Sequence, residues 1–142
     1  MPNITSNQKT DEASVATQEL LELAKAASQI AYAPYSKFKV GAALLTKSGK
    51  IYTGCNVENA SYSMTICAER NAVFQAIADA NRDFVAIAIY VDSDLLFPPC
   101  GACRQVLAEF AKDMIVIISN RKEVSQTLLS TLLPGKFSLP YE

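Results

Sequence analysis

The chain contains no histidine. That absence excludes a Ser-His-Asp triad, a Cys-His nucleophile pair and a histidine metal ligand. Proton transfer near neutral pH then falls to a carboxylate in an unusual environment. Excess charge is missing as well. The 13 Lys and Arg against 14 Asp and Glu leave a formal net charge of -1. This speaks against a polyanion-binding surface, so no nucleic-acid partner is expected. Long apolar runs are absent: runs such as Ile115 to Ile118, and even Phe84 to Val91, are far too short to span a bilayer, so no membrane partner is expected. No basic segment followed by an apolar one opens the sequence, which predicts no secretory signal and a cytoplasmic location.

What is present fits one α/β domain. The 142 residues, 50% hydrophobic and 19% charged, are enough for a real core, and a single domain over 1–142 is expected. Residues 1–10 are polar and read as a loose arm. Leu20, Leu23, Ala24, Ala27, Ile30 and Ala31 recur at helical spacing from about Asp11, with Asp11 and Glu12 at the favourable end of the helix dipole and Pro34 as the stop. Lys39 to Thr46 and Ile51 to Asn56 read as a hairpin around Lys47-Ser48-Gly49-Lys50. A polar loop follows over 56–63. A helix is predicted from Cys67 to about Ala80, a doubly buried strand over Phe84 to Val91, and a helix from Cys100 or Gly101 to Ala111. Met114 to Ile118 is another buried strand, Val124 to Thr127 a short edge strand, and Leu128 to Leu133 a last helical turn. The alternation from Ile51 onward implies a layered α/β fold with parallel strands in its second half.

Four cysteines without a signal segment point to metal or catalytic roles rather than disulfides. Cys67 lies in Cys67-Ala68-Glu69-Arg70, and Cys100 and Cys103 lie in Pro99-Cys100-Gly101-Ala102-Cys103. A catalytic zinc takes three protein ligands and keeps one position for water, and these three cysteines supply the three. Cys100 and Cys103 share a face at a helix start, where the dipole favours thiolates. Glu69 is the candidate proton shuttle. Two residues apart in a helix do not face each other, so Cys67 and Glu69 converge only if Cys67 lies at the helix end. Three thiolates and a hydroxide on Zn2+ sum to about two negative charges, which a cation should offset. Arg70 is favoured for this, with Arg104 as the alternative. Cys55 reads mainly as a core cysteine, with a fourth ligand of a closed site as the minor alternative. Cys-x-x-Cys alone also fits redox thiols and structural zinc sites, whereas its combination with Cys-Ala-Glu is specific. Asn56 and Glu58 alternate along an extended segment and so point the same way; they are either a diol reader or plain turn chemistry. By pattern alone Phe38 and Phe137 are core aromatics.

These motifs resemble the small zinc-dependent cytidine deaminases, in particular their homotetrameric, all-cysteine branch. The resemblance covers the chain from about residue 15. It rests on Ala33-Pro34-Tyr35-Ser36-Lys37-Phe38, Val40-Gly41-Ala42-Ala43-Leu44, Asn56-Val57-Glu58-Asn59-Ala60-Ser61-Tyr62, Ile66-Cys67-Ala68-Glu69-Arg70 and Pro99-Cys100-Gly101-Ala102-Cys103-Arg104-Gln105. It implies a three-layer α/β/α sandwich with a mixed five-stranded sheet. It implies zinc on Cys67, Cys100 and Cys103, Glu69 as proton shuttle and Arg70 on the thiolates. Asn56 and Glu58 would hold the ribose 3'-hydroxyl, the Ala68 N–H the base carbonyl, and Phe38 would pack on the nucleoside. Tyr62 and Phe137 would complete the pocket of a neighbouring subunit. The implied reaction is hydrolytic deamination of free cytidine and deoxycytidine to uridine and deoxyuridine with release of ammonia, in pyrimidine salvage: hydroxide on zinc attacks C4 while Glu69 shuttles protons. The same-superfamily alternative is a deaminase of a cytosine-containing antibiotic such as blasticidin S. From another class, a non-catalytic zinc or thiol redox protein leaves Glu69, Asn56 and Glu58 without a role. Two departures stand out. Pro98 replaces a small polar residue frequent in relatives but keeps its carbonyl. The segment Leu128-Leu129-Ser130-Thr131-Leu132-Leu133-Pro134 lacks the capping box that starts the last helix in relatives.

Overall fold

A computed structural model describes the backbone of residues 6–141 and the side chains of residues 16–141. Its elements run α1 (Ser6–Gln29), β1 (Val40–Thr46), β2 (Ile51–Cys55), α2 (Ala68–Ala78), β3 (Phe84–Val91), α3 (Gly101–Glu109), β4 (Ile115–Ser119), β5 (Val124–Leu128) and α4 (Leu129–Leu132), with a short 3-10 turn at Tyr62–Met64. The five strands form one sheet in the order β2-β1-β3-β4-β5. β1 is antiparallel to both β2 and β3, β3 and β4 are parallel, and β5 closes the edge antiparallel to β4. The sheet is therefore mixed, and the expected parallel run is limited to β3 and β4 among hydrogen-bonded neighbours. β2 and β3 also run the same way, with α2 crossing over β1 between them.

Alternation along the strands divides two cores. Ala42, Leu44, Ile87, Ile89, Val91, Val116 and Ile118 pack with Ala72, Val73 and Ala76 of α2 and Leu107 of α3. Ala43, Ala86, Ala88, Tyr90 and Ile117 point the other way, toward Leu20 and Ala24 of α1. The result is the expected sandwich, with α1 below the sheet and α2 and α3 above it. Two glycines set the approach of the helices. A Cβ on Gly41 would lie 1.9 Å from the Ala24 carbonyl oxygen of α1. A Cβ on Gly54 would lie 2.4 Å from the Ala68 carbonyl oxygen and 2.5 Å from the Ala72 nitrogen of α2. Gly54 thus lets the first turn of α2, which carries the candidate shuttle, lie directly on β2.

Several boundaries differ from the sequence reading. α1 begins at Ser6, so the arm expected over 1–10 overlaps the helix from residue 6, while residues 1–5 lie outside the described residues. Nothing in 6–10 breaks a helix, and Asp11 and Glu12 fall in its second turn rather than at its start. At the other end α1 stops at Gln29, before the expected Pro34, and Ile30 is 78% exposed rather than on the apolar face. The cause is tertiary: the Tyr32 N–H donates to the Asn56 carbonyl (3.0 Å) and the Glu58 N–H to the Tyr32 carbonyl (2.8 Å), which a continuing helix would forbid. α2 ends at Ala78, with Ala80 in the left-handed region (φ 60°). The start of α4 is capped from a distance. Asp113 accepts the Ser130 N–H (3.1 Å) and the Ser130 hydroxyl (2.8 Å), taking the place of the missing local capping box.

Candidate active site

Cys67 and Cys100 occupy equivalent places. Each is the N-cap of a helix, α2 and α3 respectively, with extended backbone angles (φ -69°, ψ 155° and φ -65°, ψ 166°). Cys103 stands in the first turn of α3 and is fully buried. The three sulfurs lie within 4.8 Å of one another, and Cys67 Sγ is 3.8 Å from Cys100 Sγ. Tetrahedral thiolates on zinc at about 2.3 Å would be about 3.8 Å apart, so the cluster fits that ion. Among the described residues this is the one group of three or more acidic or cysteine side chains close enough to hold a metal. Cys55 is not part of it; its thiol faces the Ile30 carbonyl at 3.8 Å, which leaves the site with three ligands. Three thiol ligands would leave a bound zinc one position for water.

The N-cap placement of Cys67 meets the geometric condition for Glu69. Side chains at the helix end project along the axis, and both residues line one cavity of about 260 Å³. Glu69 is 5% exposed. Burial pushes its carboxyl up to about 7, with the Cys67 thiolate adding in the same direction. It is thus a carboxylate poised near neutrality, the group that a chain without histidine needs. The thiols are polarised too. Cys67 is drawn down to about 5 by the Cys103 thiol beside it and by Arg70, while Cys103, facing the Cys67 thiolate and buried, is pushed up. The Arg70 Nη2 donates to Cys67 Sγ at 3.4 Å, and its Nε is buried without a partner. Arg104 does not reach the sulfurs. Its Nε donates to the Pro99 carbonyl (2.7 Å) and its Nη1 to the Leu132 carbonyl (2.8 Å). The alternative placing Arg104 on the thiolates is therefore corrected: the side chain is anchored on backbone instead.

Phe38, Asn56 and Ala68 line the same cavity. As the first residue of α2, Ala68 offers an N–H with no intrahelical partner. Asn56 and Glu58 are both buried and Val57 between them is exposed, as alternation predicts. Their polar groups are engaged. The Asn56 carboxamide accepts the Val40 N–H (2.9 Å) and donates to the Phe38 carbonyl (2.7 Å). Glu58 accepts the N–H groups of Tyr35 (3.0 Å) and Ser36 (3.1 Å) and the Ser36 hydroxyl. The Ser36 hydroxyl, followed by these N–H groups, holds the Glu58 carboxyl below its ordinary range. Both residues thus fix the segment that carries Phe38, and Glu58 does not itself line the cavity of the single chain. Tyr62 and Phe137 lie away from the cavity, 68% and 69% exposed; Tyr62 packs edge-on to Tyr35 at 5.9 Å. The sequence reading overlooked Phe97, which lines the cavity and meets Phe38 edge-to-face at 5.0 Å. Its signal was position, as an aromatic two residues before Pro99-Cys100.

Comparison with known proteins places this geometry. The zinc-binding region of cytidine and deoxycytidylate deaminases matches residues 14–119. A cytidine deaminase of Sporosarcina psychrophila is 51% identical over 123 residues, covering 85% of this chain and 90% of that protein. The crystal structure of a cytidine deaminase from Burkholderia pseudomallei superposes with a TM-score of 0.81 at 50% identity, covering 84% of this chain and 98% of that one. A blasticidin-S deaminase of Bacillus cereus is similar at a greater distance, 30% identical over 132 residues, covering 86% of this chain and 94% of that protein.

Proposed function

The chain belongs to the family of cytidine and deoxycytidylate deaminases defined by their zinc-binding region, and on that premise we propose that it hydrolyses free cytidine and deoxycytidine to uridine and deoxyuridine with release of ammonia. The observation that carries this reading is a buried Glu69 beside three clustered thiols on one small cavity. Cys67, Cys100 and Cys103 would hold zinc, which would supply a Lewis acid able to make a water acidic enough to attack at neutral pH. Glu69 takes the proton of the attacking water and delivers it to N3 of the ring. The water oxygen joins C4; Glu69, unprotonated again, takes the remaining proton of that oxygen and gives it to the amine, which leaves as ammonia as the C4–N bond breaks and the C4 carbonyl forms. A carboxyl that burial pushes above its ordinary range can serve as base and acid in turn. Arg70 offsets the charge of the thiolates from the side away from the substrate, and its contact with Cys67 supports this role.

The Ala68 N–H binds the base carbonyl, Phe38 packs on the nucleoside, and Asn56 with Glu58 holds the ribose 3'-hydroxyl. Support comes from the cavity positions of Phe38, Asn56 and Ala68 and from the burial of both Asn56 and Glu58 on the segment beside Phe38. The cavity, about 260 Å³, lies near the lower end of the roughly 300–1,000 Å³ of small-molecule sites, which suits a nucleoside, and the net charge of -1 speaks against a polynucleotide strand. Tyr62 and Phe137 close the cavity of a neighbouring copy in a homotetramer; their exposure in the single chain supports this. The role is pyrimidine salvage in the cytoplasm, and among the described residues no helix is long and apolar enough to cross a membrane.

The second reading is deamination of a cytosine-containing antibiotic, favoured by the likeness to the Bacillus cereus protein. Ammonia release from cytidine, with blasticidin S as an equimolar competitor, separates the two. Release from cytidine at rates little changed by the competitor is expected. Release from blasticidin S alone would overturn the nucleoside assignment.

A further inference from the structure

The two peptide planes that flank Cys100 are held by one residue. Pro98 and Pro99 have fixed φ angles and no N–H groups, so the loop enters α3 with few internal restraints besides the proline rings. The direction of the Cys100 side chain then depends on how the Pro99–Cys100 peptide is turned. That plane is pinned by Arg104, whose Nε donates to the Pro99 carbonyl at 2.7 Å. The next plane is pinned by the same residue, whose backbone N–H donates to the Cys100 carbonyl at 3.0 Å. The far side of the guanidinium reaches the Leu132 carbonyl at 2.8 Å, one of the carbonyls that the end of α4 leaves without an intrahelical donor. Two further bonds tie α3 to the same C-terminal segment: Gln105 Nε2 donates to the Phe137 carbonyl (2.9 Å) and Lys136 Nζ to the Ala108 carbonyl (3.2 Å).

We propose that Arg104 is a positioning residue for the metal centre, tying the Pro99 carbonyl to the end of α4 so that the C-terminal segment holds Cys100 in its ligating orientation. The inference rests on the assignment of Cys67, Cys100 and Cys103 as zinc ligands. Its chemistry is that of a rigid planar fork, which can serve two carbonyls in different directions at once. A lysine carries one compact ammonium and cannot reach both. Arg104 acts on the ligand through the backbone, and Arg70 acts on the sulfur itself, so the two arginines beside the site divide its support between them.

The test follows transfer of zinc from the purified, zinc-loaded full-length protein to a chromogenic chelator. Compared are the wild type, Arg104→Ala, Arg104→Lys and Leu20→Ala. Leu20 is buried under the opposite face of the sheet, so its truncation weakens the fold without touching the loop. Arg104→Ala should lower zinc affinity by about tenfold, the low end of what lost supporting contacts cost a metal site. Arg104→Lys should fall between Arg104→Ala and wild type, and it decides the matter if Arg104→Ala does not fold. Leu20→Ala should melt earlier yet keep wild-type zinc affinity below its transition. Wild-type affinity in both Arg104 variants would overturn the proposal, as would an equal loss in Leu20→Ala, which would make the effect one of general stability. A wild-type protein that binds no zinc would overturn the ligand assignment itself, a result distinct from a normal wild type with unaffected variants.

Discussion

Glu69 and Cys103 are buried at helix starts that the core supports from below, whereas Tyr62 and Phe137 stand 68% and 69% exposed on the surface of the same chain. The floor of the cavity is built by one chain. α2 is pressed on the sheet at Gly54, α3 packs beside it through Leu107, and each presents its N-terminus and a cysteine to the same point. The rim is not built that way. Its two candidate aromatics do not line the cavity, and the Phe137 backbone carbonyl accepts a bond from Gln105 Nε2 while its ring is left exposed. The difference teaches a division: groups that need fixed distances are placed where a single core enforces them, while the two exposed aromatics lie outside the cavity of the single chain, as the proposed closure by a neighbouring copy requires.

The largest expected effect strikes the floor. Cys100 is exposed, so replacing it removes little packing and reads the metal directly. Cys100→Ala should abolish turnover and bind less than stoichiometric zinc. Its melting temperature should match that of wild type stripped by a chelator, because metal binding is coupled to folding. Stoichiometric zinc in purified Cys100→Ala, measured by atomic absorption, would contradict the ligand assignment. Next in size is Gly54→Ala. The added methyl meets backbone atoms that cannot swing aside, so α2 must move. A loss of about 2 kcal/mol or more in unfolding free energy is expected, together with a fall in kcat. Unchanged kcat at 25 °C would show that the floor tolerates a displaced α2. The smallest effect should come from the rim. Phe137→Ala should leave zinc content and the stability of the separate chain near wild type and raise KM several-fold, since one lost aromatic contact is worth about 1 kcal/mol. An unchanged KM would remove Phe137 from the pocket of any neighbour.

Much of this was legible in the sequence, for reasons that differ by element. β3 could be read residue for residue from Phe84 to Val91, because a strand covered on both faces writes itself as a continuous apolar run. The cluster was legible because three cysteines and a glutamate without histidine leave few chemistries open. What was not legible depended on partners distant in sequence. The early end of α1 follows from pairing of Tyr32 with Val57, which local periodicity does not encode. The cap on α4 comes from Asp113, far outside the local capping pattern. Arg104 sits next to a ligand in sequence, yet its long side chain turns to Pro99 and Leu132, a choice that only the packed loop decides. Phe97 reaches the cavity because two prolines carry the loop past Phe38, and its contact with that ring is likewise tertiary.

The central claim is that Glu69 moves the protons in a metal site that the three cysteines build without it. It is tested most directly by following the near-ultraviolet absorbance of cytidine with zinc-loaded wild type and Glu69→Gln in parallel, with zinc measured in both. The account predicts a steady fall for the wild type, a rate lower by about a thousandfold for Glu69→Gln, and the same zinc content in the two. A Glu69→Gln protein that turns over cytidine at the wild-type rate would contradict it.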